Sequence, residues 1–256
     1  MNKLILFTAL AISFSVSTQG YQIHENKKTL AQGGTLIVPG SQKGTVLFAN
    51  MQKIVPISEL EPIVLRLGNE SKLNILIKDI QGTVDVETAT TKKAELKAQL
   101  VVFLVDCDKS PLTLLNAPEE GWAIVNVNAI TKDAKNDVFR AARLRKEMIR
   151  GFFSVAGSMC SQYPNSTMRY IGKPSDLDKI VEEYPVDVLM RSYDNLKAMG
   201  VTPVQLSTYK RACQSGWAPA PTNDVQKKIW QEVHSAPSNP LRIEFDPAAQ
   251  KGKVTK

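Results

Sequence analysis

The sequence predicts an α/β protein: a mixed, mostly parallel sheet packed on a long central helix, with a mainly helical C-terminal part and α+β as the variant. Three observations carry this. Strand and helix patterns alternate as far as residue 105, the order that builds a parallel sheet with crossover helices. Leu100–Val105 (LVVFLV) is a continuous apolar run of strand length, as a strand buried on both faces requires. Residues 138–156 place Ala141, Leu144, Met148, Phe152 and Val155 at helical spacing, widened by Ile149, Phe153 and Ala156, so a helix here is deeply packed.

The elements follow in order. Residues 1–17 have the form of a secretory signal. Lys3 supplies the positive end, 4–16 is an apolar run too short to span a bilayer, and Ser15-Val16-Ser17 has the small-x-small form of a cleavage site, with Gly20 as a second candidate. No later run is long and apolar enough to cross a membrane, so the expected protein is secreted or periplasmic. Residues 21–34 read as a flexible leader. Strands are expected at 35–38, stopped by Pro39-Gly40, and at 45–50 (TVLFAN). Ser58 with Glu61 makes a capping box for a helix reaching Leu67; Pro62 lies in its first turn, where proline is tolerated, and Gly68 stops it. A strand at 73–77 and a Lys-, Glu- and Ala-rich helix at 90–99 lead into the central strand.

Strands at 112–115 and 122–127 are expected to form a hairpin on one edge of the sheet, and Gly157 to stop the long helix. Helices are expected at 176–183, 186–199, 203–214 and 224–233, and an edge strand at 241–245. The division is therefore a core at 35–168, a helical part at 169–246 and a disordered basic tail at 247–256.

The net charge is +7. In an exported protein this points to anionic envelope polymers or an acidic peptide as partner. Arg/Lys runs interleaved with aromatics are absent from the sequence, so nucleic acid is not expected.

The polar side of the long helix carries Arg143, Lys146, Glu147 and Arg150. Arg143 and Glu147 are i,i+4, and Glu147 and Arg150 are i,i+3, so the acid can be held between two guanidinium groups. Lys146 and Arg150 share one sign at i,i+4, a repulsion that an anion between them relieves. Lys146, Arg150 and Arg143 are thus the candidate ligand-binding residues, and Glu147 is the candidate catalytic group if the protein is a hydrolase. The plain alternative is a solvated basic face with an ion-pair patch around Glu147.

Three cysteines in an exported chain predict one disulfide and one thiol. Of the three pairings Cys160 with Cys213 is expected, leaving Cys107 as a buried thiol. The two histidines, His24 in the leader and His234 at the end of the last helix, share no C-x-x-C or H-x-H spacing with anything, so no metal or other cofactor is expected. Asp106 and Asp108 follow the central strand at its carboxyl end, where α/β proteins bind ligands, though a charged loop explains them equally.

The order of strands before one long helix, with a mostly helical tail after it, resembles the metzincin zinc peptidases, in particular the archaemetzincin branch, over residues 45–168. In that family the long helix carries H-E-x-x-H, with a third ligand after a glycine turn and a methionine turn below. The matching segment here is Lys146-Glu147-Met148-Ile149-Arg150: the glutamate is kept and both histidines are replaced. Phe153 stands where the family has glycine, and Met168 stands for the methionine turn. Residues 208–223 (TYKRACQSGWAPAPTN) are also similar to a group of uncharacterised exported bacterial proteins. Lysine and arginine offer no usable lone pair near neutral pH. The resemblance therefore implies a metzincin-like domain without its zinc site, a pseudoprotease acting as a binding or structural module in the cell envelope. A secreted, peptidase-like hydrolase with an unrecognised active site, using Glu147 or a cysteine, is the other reading, and an assembly protein without a ligand cleft a third.

Overall fold

The computed structural model describes residues 25–235, except 109 and 159. The expected signal at 1–17, His24, the strand at 241–245 and the tail at 247–256 lie outside the described residues. The described residues divide into two compact units, the larger spanning 37–205 and the smaller formed by 25–36 with 206–235.

The elements are α1 (Lys27–Ala31), β1 (Thr35–Ile37), β2 (Val46–Met51), α2 (Ile57–Ser71), β3 (Ile75–Ile80), α3 (Ala89–Leu96), β4 (Leu100–Val105), β5 (Leu114–Ala117), β6 (Trp122–Asn126), α4 (Val127–Thr131) and α5 (Asp137–Val155). A 3₁₀ turn (Pro174–Lys179), α6 (Val186–Ala198), β7 (Leu206–Thr208), α7 (Tyr209–Gln214) and α8 (Asp224–Ser235) complete them.

The larger unit is a mixed, mostly parallel five-stranded sheet in the order β3-β2-β4-β6-β5. LVVFLV is its middle strand, and all six of its residues are buried. β2, β3, β4 and β6 run parallel, while β5 joins β6 as the antiparallel edge hairpin. Alternate residues of the central strands serve two cores, as the two-residue period of a strand dictates. Phe48, Val102, Leu104 and Val125 pack with Leu60 and Val64 of α2 and with Leu144, Met148 and Phe152 of α5. Leu47, Val101, Phe103 and Ile124 pack on the opposite face, where Ala89 of α3 closes the layer.

α5 is fixed at both ends. The Asn136 side chain accepts from the backbone N–H groups of Val138 and Phe139, which supplies the N-terminal donors with an acceptor. At the other end Gly157 adopts φ +76°, and the N–H of Ser158 reaches the Phe153 carbonyl at 2.9 Å while that of Gly157 reaches Ser154 at 3.0 Å. These two bonds make a Schellman stop. Between the ends Gly151 faces the sheet. A Cβ there would stand 3.1 Å from Val102 Cγ1 and 3.1 Å from Val125 Cγ2, so the absent side chain sets how closely helix and sheet approach. Gly151→Val therefore overpacks this contact, and a loss of about 1–3 kcal/mol is expected in denaturant unfolding.

Some elements differ from expectation. Pro56 is the N-cap of α2, with no side-chain cap bond, so Ser58 lies inside the first turn and the Ser58–Glu61 box does not form. The helix also continues through Gly68 to Ser71, ending where Lys72 turns left-handed at φ 63°. Burial of Leu67 and Ser71 outweighs the roughly 1 kcal/mol penalty of an interior glycine. The helix expected at 176–183 is only a 3₁₀ turn, because the Thr167 hydroxyl donates to the carbonyls of Val181 and Glu183 and pins that stretch out of helical form. α4 was not foreseen. Residues 169–205, assigned by sequence to a C-terminal part, belong to the larger unit.

In the smaller unit, residues 27–31 of the expected leader are a helix, capped reciprocally by Asn26 and Thr29. The helix expected over 203–214 is shorter: β7 pairs with β1, and α7 starts only after Thr208, whose hydroxyl caps it. Tyr209, Cys213 and Ile229 form this unit's own small core.

Candidate functional site

The polar side of α5 is not a solvated face. Arg143 is 1% exposed, Arg150 7%, and Glu147 fully buried. Their partners decide what each can do.

Arg143 does not flank Glu147. Its guanidinium forms a two-bond fork to Asp178, Nε to Oδ1 at 2.8 Å and Nη2 to Oδ2 at 2.7 Å. Its Nη1 donates to Asp133 at 2.5 Å and to the Ile130 carbonyl at 3.1 Å. These hydrogen bonds hold the Asp178 carboxyl below the ordinary aspartate range. Lys146 donates to the Leu177 carbonyl at 2.8 Å, and burial lowers its pKa against the pull of Glu182 and Asp178.

The ion-pair partner of Glu147 is Arg150, Oε2 to Nε at 2.7 Å. The contact is ionic rather than an aligned hydrogen bond: both carboxylate oxygens and Nε lack a hydrogen-bond partner among the described residues. Burial pushes the Glu147 carboxyl above the ordinary glutamate range, with Arg150 and Thr113 acting in the opposite direction. Arg150 Nη1 donates to the carbonyls of Thr167, at 2.9 Å, and Arg169.

Arg150 also lines a cavity of about 240 Å³ between the edge strand β5 and the segment that follows α5, together with Thr113, Ser154, Ser158, Met168 and Lys173. Met168, expected below the site, is buried here. Arg143 and Lys146 are not part of this lining. The expected three-cation cleft is thus resolved into two structural clamps and one cation facing a cavity. The members that sequence reasoning missed are Thr113, Lys173, Asp133 and Asp178. The first two are unremarkable loop residues, and Asp178 lies 35 positions from Arg143, beyond any local spacing rule.

The other candidates lie apart from this cavity or contribute little. The expected Cys160–Cys213 bridge is not formed: both are free, as is Cys107. Cys213 is buried in the small core of its own unit, whereas Cys160 is exposed at the rim of the cavity. Cys107 is half-buried at the end of β4. His234 is exposed and stacks on Trp230 with ring centroids 4.1 Å apart. Asp106 and Asp108 both accept from the Asn128 amide, at 3.0 and 2.7 Å, and so stitch a loop.

No protein-family model matches this sequence, and no curated protein matches it. The fold is similar to that of archaemetzincin from Methanopyrus kandleri, with a TM-score of 0.50 at 16% identity over 63% of this chain and 99% of that one. A zinc-dependent peptidase from Methanocorpusculum labreanum scores 0.43 at 14% identity, over 58% of this chain and 100% of that one. Archaemetzincin from Archaeoglobus fulgidus, complexed with malonate, scores 0.44 at 10% identity over 57% and 99%. The likeness to the Methanopyrus kandleri protein gives this chain a metzincin-like fold.

The residues at the zinc-ligand positions implied by the resemblance do not fit a zinc ion. Lys146 and Arg150 are cations already bonded to carbonyls, and they repel a dication instead of donating a lone pair. Among the described residues no group of three or more His, Cys, Asp or Glu could hold a metal.

Proposed function

We propose that this is an exported, non-catalytic metzincin-like protein that acts as a binding module in the cell envelope, taking an anionic polymer or acidic peptide at the cavity beside α5. The observation that carries the reading is the buried Glu147–Arg150 pair. A metal peptidase needs an open coordination site and a base that reaches its water. Here the glutamate is fully buried and held by the cation three residues on, which stands at a metal-ligand position of the resemblance. The same substitution leaves positive charge at that position, so what suits it is an anion. Export is supported by the form of residues 1–17, and no described helix is long and apolar enough to cross a membrane.

Elemental analysis of the purified protein, run beside a peptide-hydrolysis assay with added zinc, tests this. Substoichiometric metal and no zinc-dependent cleavage are expected. Stoichiometric zinc with cleavage abolished by a chelator would overturn the proposal.

A further inference from the structure

Within the cavity the chemistry is narrower than a basic patch. Arg150 spends Nε on Glu147 and Nη1 on two carbonyls, while Nη2 makes no hydrogen bond among the described residues. Its side chain is 8% exposed, so the guanidinium is held rigidly from behind and from one side. Lys173 is exposed and lines the same cavity. The described lining contains these two cations and no carboxylate, and it adds the hydroxyls of Ser154 and Ser158 and the amide of Asn116. The cavity therefore offers positive charge and neutral donors without a competing acid, which suits the end of an anionic ligand.

Size narrows the ligand further. At about 240 Å³ the cavity is smaller than the roughly 300–1,000 Å³ of pockets that enclose whole drug-sized ligands. It accepts an end of a ligand, not its body. Leu112 and Tyr170, 51% and 74% exposed, also belong to the lining, and they give the part behind the charged end an apolar surface to lie on.

We infer that this cavity is a carboxylate receptor, in which Arg150 Nη2 and Lys173 bind the terminal carboxylate of a small or peptide-like ligand. The inference rests on the binding-module reading and gives it a ligand class. Arginine suits the task because its fork is planar, permanently charged and pre-oriented by its other bonds. Lys173 then supplies a second donor without needing a fixed position.

Calorimetric titration of the purified protein with the tripeptide Ala-Leu-Ala, its C-terminal amide, N-acetylalanine and inorganic phosphate tests this. The free acid is expected to bind at least about tenfold more tightly than the amide, a difference of about 1.4 kcal/mol. Lys173→Met, a change at an exposed loop position, should weaken the acid several-fold and leave the amide unchanged. Tighter binding of the tripeptide than of N-acetylalanine identifies a peptide end as the ligand, and equal binding identifies a small free carboxylate; either supports the receptor. Equal binding of acid and amide, stronger binding of phosphate, or indifference to Lys173→Met would overturn it. The two readings fail separately. Zinc-dependent cleavage together with acid-over-amide preference would sink the non-catalytic proposal and leave the receptor, whereas metal-free protein without that preference would do the reverse.

Discussion

Arg150→Ala is expected to destabilise the protein by about 3–5 kcal/mol, because it strands a fully buried carboxylate that is paired with no other cation among the described residues. Chemical denaturation at neutral pH measures this directly. The pair itself contributes far less than that figure, since taking both charges out of water offsets most of their attraction. The double variant Glu147→Met with Arg150→Met should therefore recover most of the loss. It should still fall short of the parent by about 1–3 kcal/mol, because the carbonyls of Thr167 and Arg169 lose their donor. A double variant no more stable than Arg150→Ala would show that those two carbonyl contacts, not the ion pair, dominate. The pH dependence has a definite sign. Glu147 holds its proton more tightly folded than unfolded, so its contribution is fully present below the ordinary value of 4.5 and is lost as pH rises through the raised one. Arg150 lowers the Glu147 value, so removing it widens this window upward. The deficit of Arg150→Ala should accordingly shrink as the solution is acidified.

Arg143→Ala is the second large effect, about 2–5 kcal/mol, from the buried volume that is lost and the Ile130 carbonyl left without its donor. This side chain is among the largest fully buried ones, and it ties three places together: Ile130 at α4, Asp133 before α5, and Asp178 in the 3₁₀ turn. Arg143→Met keeps much of the volume and removes the charge, so it separates packing from pairing. If packing dominates, Arg143→Met will be close to the parent; if the clamp dominates, it will be nearly as damaged as alanine. Asp178 gives an independent readout. Its pKa is depressed in the folded state, so the stability it contributes is present above the ordinary value of 3.8 and disappears as pH falls through the depressed one. Both variants should flatten that acid limb.

The fold was legible where periodicity and burial agree. LVVFLV could only be a strand enclosed on both sides, and α5 announced its packed stripe at 3.6-residue spacing. The edge hairpin was readable from two short runs around the turn before Trp122. Gly68 misled because an interior glycine costs about 1 kcal/mol, less than burying the adjacent Leu67 gains; Ser58 misled because the helix opens two residues earlier, at Pro56. At the site, the i,i+3 pair of Glu147 and Arg150 was readable because both partners lie on one helix. The i,i+4 pair of Arg143 and Glu147 was not formed, since the distant Asp178 offers Arg143 a fork that a helical neighbour cannot match. The cavity was illegible: Thr113 and Lys173 reach it from two loops that only the fold brings together.

Three cations of one helix thus bond backbone carbonyls outside that helix: Arg143 at Ile130, Lys146 at Leu177 and Arg150 at Thr167 and Arg169. This has a consequence for redesign. Histidines placed at 146 and 150 would supply two metal donors, yet imidazole is shorter than lysine or arginine and would abandon those carbonyls and Glu147 together. A zinc site built into this helix therefore starts from a less stable protein, because clamp and ligand compete for the same two positions.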